Sequence, residues 1–126
     1  MPNEFADRLV ILNGASYSNS IHPGPYALVG FRVPQFAATT AALYFETTED
    51  GLNVADADAV WDPVFDQEDA RVKVPVSTSV ARRAQIDTPA SVLQLGRFRV
   101  QAVTSGGVGV VQDAAKTIVP KYTRSA

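Results

Sequence analysis

The stretch ARVKVPV, residues 70–76, decides the fold class. Val72, Val74 and Val76 alternate with Arg71, Lys73 and Pro75, the period of two expected of a strand with one buried and one wet face. Pro75 points to an edge position or a strand end, where its missing N–H costs nothing. The same pattern extends in both directions. Leu9-Val10-Ile11-Leu12 is a short apolar run, and YALVGFRV at 26–33 is a longer one that stops at Pro34. Ala41 to Thr47 sets Leu43 and Phe45 on one face, Tyr44 and Glu46 on the other. Residues 60–65, VWDPVF, make a fourth run. Arg82 to Asp87 alternates Ala84 and Ile86 with Arg83 and Gln85. GRFRVQAVT at 96–104 turns Phe98, Val100 and Ala102 inward, and residues 116–122 close the series.

Turn signals separate these runs at regular intervals: HPGP at 22–25, EDG at 49–51, Ser105-Gly106-Gly107 and Gly109. The spacing of about eight short strands predicts an all-β fold, a sandwich or barrel. At most one short helix is expected, over 89–94, with Pro89 at its first position and Thr88 as the cap.

A chain of 126 residues makes one domain with a proper core. We divide it into an N-terminal arm at 1–7, a sandwich at 8–122 and a C-terminal tail at 123–126. Cysteine is absent, which excludes disulfides, thiolate nucleophiles and cysteine zinc sites. MPNEFADRLV lacks the features of a secretion signal, and no apolar run reaches the roughly 18 residues that span a bilayer. A soluble protein made inside the cell, without a membrane partner, is expected.

Charge is divided along the chain. Residues 1–32 balance; residues 33–70 hold nine acids and no base; residues 71–126 hold nine bases against Asp87 and Asp113. Either the two signs neutralise one another within the fold, or they lie on different faces and copies of the protein meet plus to minus. The net charge of −2 and the lack of a Lys/Arg block argue against nucleic acid as ligand.

Individual motifs carry little chemistry. Asp56-Ala57-Asp58 alternates oxygen ligands as a calcium loop does, but the glycine and distal glutamate fall at the wrong spacing, so an exposed acidic turn is the better reading. Trp61, flanked by Val60, Val64 and Phe65, is expected in the core, with a sugar-stacking platform as the alternative. His22, the single histidine, sits in a turn and has no second histidine for a metal site. No nucleophile elbow accompanies it, and SGGVG lacks the Lys-Ser/Thr of a phosphate loop. We expect no catalytic residue, no metal and no cofactor.

Taken in order, LVGFRVPQF, TAALYFETTEDG, AVWDPVFD, LGRFRVQAVTSG and VVQDAAKTIVPKY resemble a family of small virion proteins of tailed bacteriophages over residues 26–122. The chain departs from that pattern in LNVADADAV after Asp50-Gly51, and in Thr104 where an arginine is common before Ser-Gly. The strand arrangement is also similar to discoidin-type jelly rolls, and with that similarity the fold expected is an antiparallel jelly-roll-like β-sandwich of about eight strands. What the phage resemblance implies is a structural protein, made in the host cytoplasm and resident in the virion. It would act as a head decoration or cement protein, contacting the major capsid protein or other virion proteins and forming a homo-oligomer. A carbohydrate-binding or adaptor module of a tail, baseplate or fibre is the alternative, with Trp61, Tyr17 and Tyr26 as its aromatic candidates. For partner contact, the charge division singles out Asp66, Glu68 and Asp69 on one copy against Arg82 and Arg83 on a neighbour or on the capsid shell.

Overall fold

A computed structural model describes residues 8–22, 26–51, 53–65, 70–85 and 97–124. Among these residues eight strands follow one another: β1 (Leu9–Ile11), β2 (Tyr26–Val33), β3 (Ala42–Thr48), β4 (Asp62–Pro63), β5 (Lys73–Pro75), β6 (Arg82–Gln85), β7 (Arg97–Val103) and β8 (Lys116–Arg124). No helix occurs among the described residues. The turn expected at 89–94 lies outside them, as does the arm at 1–7.

Two antiparallel sheets form. The first has the order β1-β8-β2-β6; in the second, β3 is flanked by β4 and β5 on one side and by β7 on the other. Alternation decides which side of each strand is buried. Leu9, Ile11, Phe31, Val33 and Ile118 of the first sheet meet Leu43, Phe45, Val74, Phe98, Val100 and Ala102 of the second in one core. Phe31 and Phe45 stack across it at 5.5 Å between centroids, and Phe45 meets Phe98 at 6.0 Å, both tilted as aromatic quadrupoles prefer. In the opening stretch, Val72 and Val74 are buried while Lys73 and Pro75 are exposed, as the alternation requires.

Three features differ from the sequence reading. Residues 15–21 pair with the free edge of β7, through Ser18 N to Val100 O (2.9 Å) and a reciprocal pair between Ile21 and Phe98 (3.0 and 2.9 Å). Of the run 60–65, Asp62 and Pro63 form a strand against β3, Val64 N donates to Phe45 O at 3.2 Å and Phe65 makes an isolated bridge to Arg71, while the Val60 N–H goes to Asp50 Oδ2 at 2.7 Å instead of to the sheet. At the C-terminal end, β8 runs on through Thr123 and Arg124, which pair with Ala27 and Tyr26, so the expected tail begins inside the sheet.

Candidate docking surfaces

Because Phe98, Val100 and Ala102 point into the core, Arg97, Arg99 and Gln101 of β7 point away from it. They stand directly opposite Thr48, Glu46 and Tyr44 of β3. This outer face of the second sheet carries two arginine–aromatic clusters. In the first, Arg99 donates from Nε and Nη2 to Glu46 Oε1 at 2.9 and 2.8 Å. Its guanidinium lies 4.1 Å from the Tyr17 ring centroid and 4.4 Å from that of Trp61. A delocalised, weakly hydrated cation suits such stacking better than an ammonium would. Arg97, only 5% exposed, lies 5.7 Å from the Trp61 centroid, with Nη1 3.6 Å from Asp56 Oδ1. Its Nε and Nη2 are buried and have no hydrogen-bond partner among the described residues. In the second cluster, Arg71 lies 4.5 Å from the Tyr44 ring and 5.7 Å from Phe65, and its Nη2 donates to Phe45 O at 3.3 Å. Gly107, at φ 87°, brings the 104–108 turn against Tyr44, where an added Cβ would stand 3.4 Å from the ring.

The acidic connection between β3 and β4 folds over the Arg97 end of this face. Asp56 accepts from the Ser20 N–H at 3.0 Å and from the Ser20 hydroxyl, and Trp61 Nε1 donates to Asp56 O at 2.9 Å. Turns closed by Val54 N to Gly51 O (3.0 Å) and Asp58 N to Ala55 O (2.9 Å) stiffen it further. The loop is therefore pinned, and with Asp62 at the start of β4 it presents Glu49 and Asp58 to solvent, Val60 being 70% exposed among them.

Trp61 is consequently not the core residue that its apolar neighbours suggested. Of those neighbours only Val64 is buried; Val60 and Phe65 are exposed, Phe65 by 46%. With β4 reduced to two residues, the indole falls in the loop and covers two guanidinium groups, while Phe31, Phe45 and Phe98 fill the core.

The outer face of the first sheet is different in kind. Arg32 of β2 stands directly opposite Arg83 of β6 and beside Val119 of β8; Lys121 lies one step along, next to Gly30. All three bases are exposed. The four strands of this sheet contain Arg32, Arg82, Arg83, Lys116, Lys121 and Arg124 and no acid. Lys116 has Asp113 at 3.3 Å, but Arg32, Arg83 and Lys121 have no ion pair among the described residues. Arg82 and Arg83 thus sit on an edge strand, where charge also discourages indiscriminate strand pairing. Asp66, Glu68 and Asp69, their expected counterparts, lie outside the described residues. Sequence reasoning missed the Arg–aromatic clusters and singled out neither Glu49 nor Asp62, although it read Asp56-Ala57-Asp58 as an exposed acidic turn and Asp58 is exposed; for the clusters, the available signal was the position of Arg97 and Arg99 at the alternate positions of their strand.

The chain matches no family model, no curated protein and no solved structure.

Proposed function

We propose that this protein is a structural component of a tailed-phage particle, most simply a decoration or cement protein on the outer head surface. The observation that carries the docking role is the outer face of the second sheet. Stacked arginines beside part-exposed Tyr17 and Phe65 reproduce the residue types that dominate binding energy at protein interfaces. The phage assignment comes from the ordered motifs of residues 26–122. The winding also supports it: with the 15–21 ladder included, the chain passes between sheets at most connections and sets its first strand beside its last, as a jelly roll does.

In this role the major capsid protein is the partner, and each copy adds interface of order 1,000 Å² or relies on avidity across an array. Mass determination of purified particles tests the location by copy number. Hundreds of copies per particle are expected on a head lattice; a dozen or fewer would move the protein to a collar, tail tip or fibre base.

The half-buried position of Trp61 favours a second reading, a carbohydrate-binding module of a tail or baseplate. Glycan-dependent quenching of tryptophan fluorescence at unchanged stability is its signature. Its absence across a panel of host surface glycans would leave the docking role alone.

A further inference from the structure

The outer face of the first sheet holds an arrangement that the fold alone does not favour. Arg32 and Arg83 are directly opposite cross-strand neighbours of like charge, a destabilising pairing, and Lys121 stands on the next row. All three are exposed, and no carboxylate among the described residues neutralises them. On the other side of the sandwich, the pinned β3–β4 loop, with Asp62 at the start of β4, presents Glu49, Asp58 and Asp62, equally exposed and without ion pairs among the described residues. Asp50 and Asp56 in the same loop are occupied, the first by Val60 N–H and the second by Ser20 and Arg97.

We propose that the occupant of the basic face is the acidic β3–β4 loop of a second copy of this chain. Charge complementarity is the first argument: three cations on one side of the molecule, without an ion pair among the described residues, match three carboxylates on the other that are likewise without one there. Preorganisation is the second. The loop is fixed by Asp56, Trp61 and two turns before any partner arrives, so little ordering cost accompanies docking. Apolar content is the third, since exposed Val60 lies among the acids and half-buried Val119 lies beside Arg32.

The two halves of the contact lie on opposite sides of one copy, so the contact is head-to-tail. Each union leaves one basic face and one acidic loop open, and copies extend into a ring or a row instead of stopping at a symmetric dimer. The loop covers Arg97 and, through Trp61, Arg99 of its own sheet, which leaves the Tyr44–Arg71–Phe65 cluster for the shell. This contact between copies adds to the docking role proposed above and is measured on the isolated protein, so its failure would leave that role standing.

Sedimentation velocity on the full chain tests it, at protein concentrations up to about 1 mM and at low and high salt. The parent should grow beyond a dimer at about 0.01 M salt, where the screening length is about 30 Å, and return to monomer at about 1 M, where it is about 3 Å. Two charge-neutralised variants, Arg32→Gln/Arg83→Gln/Lys121→Gln and Glu49→Gln/Asp58→Asn/Asp62→Asn, should each remain monomeric. An equal mixture of the two has one intact basic face and one intact loop, and should form a one-to-one dimer and nothing larger. A parent that is monomeric at low salt, association that survives either set of substitutions, or a mixture that stays monomeric while the parent assembles would overturn the proposal. The parent's salt dependence decides the matter even if a variant fails to fold.

Discussion

Gln112, 2% exposed, joins three segments through one carboxamide. Its Oε1 accepts from Ala37 N at 3.0 Å, and its Nε2 donates to Thr40 Oγ1 at 3.3 Å and Val110 O at 3.1 Å. Its backbone pairs with Gly14 and Ala15 as well. Replacing it by leucine keeps the bulk and strands the Ala37 N–H, so Gln112→Leu should cost about 2 to 3 kcal/mol, read from denaturant unfolding. The turn it holds contains Thr39 at φ 72°, a left-handed conformation that a β-branched residue adopts only under strain. Thr39→Gly relieves that strain and, after the entropy it adds to the unfolded chain, should raise stability by about 1 kcal/mol. Trp61 gives the opposite contrast. Its emission should be red-shifted and accessible to iodide, and Trp61→Ala should cost well below the about 3 to 5 kcal/mol expected for Phe98→Ala in the core. In the sequence, Gln112 lies within the motif VVQDAAKTIVPKY, but what it bonds is not legible there, because Ala37 and Thr40 lie 75 and 72 residues away. Trp61 was misjudged because apolar neighbours signal burial only where the strand containing them forms.

At the scale of elements, period-two alternation made the strands legible wherever one face meets the core: residues 70–76 are buried and exposed in turn as their side chains dictate. The 15–21 ladder was not legible. NGASYSNSI has no apolar alternation, and beside its backbone bonds to β7 one ladder position is filled by a side chain, Ser18 Oγ, accepting from Val100 N at 3.0 Å. Asn19 adds to the disguise by accepting from Val10 N at 2.7 Å and donating to Arg8 O at 3.0 Å, so polar side chains perform backbone work. The β3–β4 loop follows the same logic, held at Asp56 by a residue 36 positions away. Asp56→Ala should release it: amide exchange over residues 54–61 should accelerate while that of β3 and β7 stays slow. Unchanged exchange in the loop would mean that the turns alone hold it.

For the whole molecule, the charge division along the chain becomes a division in space. The acid-rich middle of the chain supplies the loop over the second sheet, and the acid-free strands form the first. Periodicity could not reveal this, because the sheet partners of Arg32 come from β6 and β8, far along the chain. In the proposed role the protein attaches to a larger particle through the arginine–aromatic face of its second sheet. Reattachment to particles stripped of this protein tests it most directly, comparing the parent with Tyr17→Asp/Phe65→Asp. Both side chains are part-exposed, Tyr17 by 38%, so the folded domain should tolerate the change, and its melting curve checks this. Truncating interface anchors of this kind typically costs at least about 2 kcal/mol each, so occupancy should fall at least about tenfold at sub-saturating protein. A folded variant that reoccupies the particles as fully as the parent would contradict the claim.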